Sequence, residues 1–361
     1  MYELQQVSAT TLSLPEDNYI YSIAPCAPGA LAAISSDDSL RIFDVNLDLG
    51  TSVISPKAHN EGVTCLRSYS TSDSQLVTTG GRDGKAKLWD IRAGSMVLEI
   101  ETNKNLPVLS VACNPHTNTI VTGTELVSSQ AVVALWDIRS ANAPRLQYVE
   151  SHNDDITELQ YHPTQHNILL SGSTDGLVNV YDTTITDEDD ALVQVINHGS
   201  VHHAGFLSDS AIYALSHDEH FSVHPVTNPD SAEHESEPEI VEFNDLREPL
   251  GCEYVVQLCM GAQVPFIAAG NKFDKRLDLV PLISGPNWQF DQDNLWRLPG
   301  GHGEEVVRSV YLDDKTQSVF TCGEDGYVRA WKPNGGEYQS QTGFKSSRPK
   351  ERKQKDRFRP Y

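Results

Sequence analysis

The sequence predicts an all-β chain: a seven-bladed β-propeller closed by an N-terminal strand, with a disordered basic C-terminal tail. Three observations predict it. First, an Asp stands six residues before an aromatic in four similar stretches: Asp37 and Phe43, Asp83 and Trp89, Asp175 and Tyr181, Asp325 and Trp331. Second, successive ends fall at 43, 89, 136 and 181, a spacing of 45 to 47 residues. The next step lands on His224, again six after an Asp, and the 107 residues from there to Trp331 leave room for two more units, with ends near 279 and 331. A repeat of about 40–45 residues ending in Trp-Asp is the length of one four-stranded blade. Third, β-rich runs flank tight turns, as 75–79 and 85–89 flank Gly81-Arg82-Asp83-Gly84. Such turns take Gly and Asp because their backbone enters positive φ.

Taken in order, residues 1–19 form an N-terminal segment, 20–333 the ring and 334–361 the tail. The third unit ends in Ala134-Leu135-Trp136-Asp137 without the upstream Asp, and Gly123–Gln130 reads as an enlarged turn. The fifth puts His224 where the aromatic stands. The sixth, about 243–280, matches least, and Asn244–Leu246 and Phe266–Ala269 read as its strands. After Trp331 no β-rich run follows, so the last blade lacks an outer strand. The alternating segment 9–14 is expected to supply it. Closure removes the open sheet edges that invite mispairing.

Three units carry a His upstream of the turn Asp. His59 precedes Asp83 by 24 residues, and His152 and His302 precede Asp175 and Asp325 by 23. Thr79, Ser171 and Thr321 stand four before each Asp. On these residues the chain resembles the WD-repeat family, over 20–333. The resemblance implies buried networks: His59, Thr79, Asp83 and Trp89; His152, Ser171, Asp175 and Tyr181; His302, Thr321, Asp325 and Trp331. Buried groups of this kind must pair one another, so they read as structural. The run SerHisAsnAspAspIleThrGluLeu at 151–159, with the ending at 172–182 and AspGluAspAspAlaLeuVal at 187–193, looks more narrowly like the WD repeat-containing protein 89 family.

Net charge is −23. Residues 340–361 carry eight basic and two acidic side chains, a net of +6, which leaves −29 on the rest. An acidic ring repels nucleic acid and membrane lipid and attracts basic polypeptides. The tail, poor in apolar residues, is expected to be disordered. It reads as a localisation signal, a weak RNA contact through 345–359, or a ligand for the chain's own acidic face. The location expected is nucleus or nucleolus, with the cytoplasm also open. Cysteines at 26, 65, 113, 252, 259 and 322 are scattered without a CxxC pair, as free thiols in a reducing compartment are. The start has no basic region or apolar core, and no run of about 18 apolar residues exists, so neither a signal peptide nor a membrane span is expected.

Glu61, Asp154, Asp155, Glu304 and Glu305 lie just after a blade His. Family geometry implies one face for them, around the central opening, with Arg82, His217 and Glu324 in the inter-strand turns. Two further acidic stretches, Asp187–Asp190 and Asp230–Glu242, fall between third and fourth strands and are expected on the opposite face.

Catalytic patterns are missing. His217–His224 is rich in His but lacks the HExxH spacing, and Asp187–Asp190 lacks the EF-hand loop. Residues 172–176 are not a nucleophile elbow, and no phosphate-binding Gly-rich loop occurs. His–Asp–Ser/Thr sets recur blade by blade, where a triad stands once. No enzyme activity, metal or cofactor is expected. Trp-Asp-Ile-Arg occurs at 89–92 and 136–139, and it resembles boxes of cullin-RING ubiquitin-ligase substrate receptors, in which the Arg contacts the adaptor. Arg92 and Arg139 would take that role. The function expected is a protein-interaction scaffold, monomeric within a complex, whose acidic face binds a basic partner such as a histone or ribosomal protein. The alternative is a ligase substrate receptor.

Overall fold

Five four-stranded antiparallel sheets follow one another over 20–55, 63–101, 108–148, 156–197 and 201–245. The structure is a computed structural model and describes residues 1–47, 50–70, 74–227, 239–285 and 287–333. The expected tail and most of the acidic loop 230–242 lie outside the described residues. A nine-stranded sheet completes the chain and divides into two more four-stranded units. One comprises Tyr254–Met260, Pro265–Asn271, Arg276–Ile283 and Trp296–Pro299, with Gln289–Phe290 added beside its third strand. The other comprises Val307–Asp313, Ser318–Gly323, Val328–Pro333 and, as its outer strand, Tyr2–Thr10. We number these units blades 1 to 7 in chain order. The first strands of neighbouring blades pack against one another around the full circle, so the chain is a closed propeller.

The core lies between blades. Seven apolar clusters each join two neighbours. Leu40 and Ile42 of blade 1 meet Leu66, Val77 and Trp89 of blade 2; Leu170 and Val180 of blade 4 meet Phe206 and Ile212 of blade 5. Second strands are covered on both faces. Leu76–Gly81 therefore reads as β-branched and small residues rather than as alternation. A Cβ on Gly80 would stand 2.7 Å from Cys65 Sγ and from Val108 Cγ1, so the blade 2–3 contact requires the glycine. Polar clasps join first strands around the channel. Thr64 donates to the Val108 carbonyl at 2.5 Å, Ser110 to Ile156 at 2.7 Å and Thr157 to Val201 at 2.8 Å.

Connectivity assigns the two ends of the ring. In an antiparallel four-stranded blade, the second-to-third turn and the link from the outer strand to the next blade share one end. The first-to-second and third-to-fourth turns share the other. We call these the link end and the turn end.

Two expectations need correction. The closing strand is Tyr2–Thr10, not 9–14. It places Leu4 opposite Pro333, Gln6 opposite Trp331 and Thr10 opposite Val328, with a bulge between Gln6 and Ser8. That bulge breaks the alternation the sequence would otherwise display. Leu12 and Ser13 adopt φ of 53° and 57°, and buried Leu12 plugs the blade 7–1 interface. Asn244 belongs to Val241–Asp245, the outer strand of blade 5, where Asp245 opposes His220. Phe266–Ala269 does lie in the second strand of blade 6.

Candidate functional site

Buried networks sit at the link end of blades 2, 4 and 7. His59 Nδ1 is 2.8 Å from Asp83, and its Nε2 is 2.8 Å from Thr79 Oγ1, which also accepts the Trp89 indole N–H at 2.9 Å. The Asn60 amide donates to the other Asp83 oxygen at 3.0 Å. His152 bridges Asp175 at 2.9 Å and Ser171 at 2.6 Å, with the Tyr181 hydroxyl 3.3 Å from Ser171. His302 bridges Asp325 at 2.7 Å and Thr321 at 2.8 Å, and Trp331 donates to Thr321 at 2.9 Å. Burial lowers the His59 pKa and outweighs the Asp83 contact, so the ring is neutral. Burial pushes the Asp83 carboxyl up, but the His59 and Asn60 hydrogen bonds outweigh it and leave it below the usual range.

Other blades satisfy the same place differently. In blade 1, Asp37 pairs with Arg41 at 2.9 Å and accepts from Ser35 at 2.7 Å, so a guanidinium stands in for the imidazole. In blade 3 only Trp136 and Thr122 remain, at 3.1 Å. In blade 5, His198 reaches Ser222 at 2.9 Å, and Ser222 reaches His224 at 2.7 Å. The sequence reading missed His198 because it stands 20 residues before Asp218 instead of 23 or 24. Its place directly after an outer strand, Leu192–Asn197, was the available signal.

The acids that follow each His sit in outer-to-inner links, and Arg82, His217 and Glu324 sit in second-to-third turns. Connectivity brings all of them to the link end. Their neighbours differ. Glu61 is exposed. Asp155 accepts the Leu126 amide at 2.8 Å and so helps hold blade 3 to blade 4. Arg82 pairs with Glu125 at 3.0 Å, Lys275 with Glu304 at 3.0 Å, and Arg308 Nε with Glu324 at 2.9 Å. His217 Nδ1 lies 3.0 Å from Ser200 Oγ. Asp17, Tyr19, Glu305 and Glu324 line an open recess of about 310 Å³ between blades 7 and 1. Asp17 and Tyr19 gave no motif in the sequence. Asp187 caps the short helix Glu188–Ala191 at the turn end.

The channel behind this end is polar. Arg67 of blade 2 reaches past blade 3 to Glu158 of blade 4, which also takes His203 of blade 5 at 2.9 Å. Arg67 is walled by protein yet keeps 46% of its side-chain surface open to the channel. Burial pushes the Glu158 carboxyl up, and Arg67 and His203 outweigh it, bringing it down to about 2. The His202 ring lies 4.2 Å from that of His203 and 5.0 Å from that of His217, tilted in both pairs. Burial, with His203 and His217 beside it, brings the His202 pKa down to about 3. Among the described residues, no group of His, Cys, Asp and Glu is arranged to hold a metal.

Arg92 and Arg139 both leave third strands at the turn end, opposite the acids. Arg92 is 81% exposed and 4.0 Å from Asp90. Arg139 is clamped by its own Asp137, at 2.8 Å and 2.6 Å.

The closed ring, its repeated blade and the His–Asp–Ser/Thr–Trp networks define a WD-repeat propeller. Residues 294–332 match the WD domain, G-beta repeat. Residues 22–224 match the family described as Nucleolar protein 10-like, N-terminal domain, and the chain belongs to that family. An uncharacterized WD repeat-containing protein of Saccharomyces cerevisiae is 32% identical over 90% of this chain and 81% of its own length. One of Schizosaccharomyces pombe is 32% identical over 90% of this chain and 98% of its own. The WD repeat-containing protein 89 homolog of Dictyostelium discoideum is 25% identical over 85% and 81%. A chain in the crystal structure of the mitotic checkpoint complex shares the fold, with a TM-score of 0.68 at 13% identity, covering 93% of this chain and 94% of that one. WD-repeat propellers serve as protein-interaction scaffolds.

Proposed function

We propose that this propeller is a non-enzymatic scaffold that holds a basic polypeptide on its link end. The observation that carries this reading is the acidic recess of Asp17, Tyr19, Glu305 and Glu324, with Glu61 and Asp154 further round the same end. Of the cations there, Arg82, Lys275 and Arg308 already have carboxylate partners, and the exposed Lys57, Lys104 and Lys272 are outnumbered by the remaining acids, which leaves the surplus negative. An excess of −29 outside the tail makes encounter with a basic partner fast and salt-sensitive. Candidate clients are histone or ribosomal-protein extensions, and the chain acts as a monomer within a complex. Membership in a nucleolar protein 10-like family and the basic stretch 345–359 support a nuclear or nucleolar location. The same stretch supplies a weak RNA contact.

The test is charge reversal of Glu61, Glu304 and Glu305, sparing Asp155 because its carboxylate holds the Leu126 amide. Pull-downs at low salt should lose basic partners recovered by the wild type. Unchanged recovery would remove the proposal. The alternative, a ubiquitin-ligase receptor, draws on the exposed Arg92. It has less support, because its second anchor, Arg139, is spent on Asp137. Replacing both arginines by Ala should abolish co-purification of the ligase adaptor, and no adaptor with the wild type ends that reading.

A further inference from the structure

Phe273 is 88% exposed, the most exposed large apolar side chain among the described residues. It stands at the tip of the second-to-third turn of blade 6, hence at the link end. Turn tips ordinarily take Gly, Asn, Asp or Ser. The fold gains nothing from a ring left in water, since its burial elsewhere would stabilise by ~2 kcal/mol.

The turn is held, not loose. Glu253 accepts the backbone N–H of Lys272 at 2.5 Å and of Phe273 at 3.3 Å. Asn271 Oδ1 accepts the Asp274 amide at 2.8 Å, and Asn271 Nδ2 donates to the Gly251 carbonyl at 3.1 Å. The Lys275 amide closes the turn on the Lys272 carbonyl at 3.2 Å. These bonds fix the backbone that carries the exposed ring. Lys275 then reaches across to Glu304 at 3.0 Å, which ties the turn to the acidic link of blade 7.

We infer that Phe273 is the apolar anchor of the link-end docking surface, and that the partner is a folded basic protein with an apolar pocket bordered by Lys or Arg. The inference rests on reading that end as a docking surface. It goes further in requiring that the partner present, beside any basic extension, a folded pocket that encloses the projecting ring. A buried aromatic at the centre of such a contact dominates its affinity.

The experiment places the photo-crosslinker p-benzoyl-phenylalanine at position 273 of the full chain in cells, and separately at position 305. The protein captured is identified, purified and titrated against wild type, Phe273→Ala and Glu61→Lys/Glu305→Lys at low and high salt. Phe273→Ala should melt like wild type and weaken binding on the order of 30-fold at both salts. The charge reversal should weaken it chiefly at low salt. A partner that crosslinks from 305 and binds Phe273→Ala as tightly as wild type overturns the anchor and leaves the acidic surface standing. Loss with Phe273→Ala but not with charge reversal supports the anchor and removes the electrostatic reading.

Discussion

Replacing Asp83 by Ala tests whether the blade networks hold the ring together. His59 and Thr79 are wholly buried, so the His59 Nδ1–H cannot turn to water when its acceptor goes. Asn60 is exposed, and water replaces its lost bond. One hydrogen bond to a carboxylate therefore carries the effect, about 2–3 kcal/mol. For a ring of this size that is a fall of about 3–4 °C in midpoint. His59→Ala removes the same bond from the other side, so the double variant should cost clearly less than the sum. The measurement is a double-mutant cycle in denaturant, with the slope unchanged between variants. Additivity within ~0.5 kcal/mol would refute the reasoning, because it would mean the two side chains do not act through each other.

Acid should weaken the fold before its carboxylates titrate. His59, His198, His202 and His224 all have lowered pKa values, His202 at about 3 and His224 at about 4, chiefly through burial. Each takes a proton unfolded at about 6.5 that it refuses folded, so stability falls below that pH by up to ~1.4 kcal/mol per unit for each group. Denaturant midpoints that stay flat from pH 7 to 5 count against this. Glu219 runs the other way. Burial at the blade 5–6 joint raises it to about 7, so its charge penalises the fold at high pH and the penalty fades on acidification. Glu219→Gln should raise the melting point at pH 8 and by much less at pH 5, and a lower midpoint at pH 8 contradicts the assignment. Deleting residues 1–10 should abolish a single cooperative melt, because Tyr2–Thr10 serves two blades; a wild-type transition in the truncated chain refutes it.

The propeller class was legible because the third-strand aromatic is buried between blades and the half-buried turn Asp is tied to its neighbours, so neither can drift. Third strands end at Asp44, Asp90, Asp137, Asp182 and Pro225, within two residues of the positions read from the repeat. The closing strand was misread because its bulge interrupts the alternation, while Leu12 mimics a strand residue from within a turn. The enlarged turn of blade 3 was legible from its polar run, and it holds a small hairpin bridge between Val127 and Gln130. Arg41 in blade 1 was invisible, since any donor of the right reach satisfies Asp37. That the acids after each His share one end with Arg82, His217 and Glu324 follows from their places in the repeat. The recess was not legible, because Asp17 and Tyr19 meet Glu305 and Glu324 only when the ring closes. Glu158 and Arg67 carry no local pattern, being 91 residues apart.

The closing strand also sets a schedule. Tyr2–Thr10 is made before every other strand of the ring, yet Gln6 pairs with Trp331, 325 residues later. At a synthesis rate of about 5–20 residues per second, that partner emerges roughly 16–65 s afterwards. For that interval the nascent chain carries an unpaired strand and an incomplete seventh blade, both open to pairing with another chain. Residues Tyr2–Thr10 are thus the strand of the ring that waits longest for its partner.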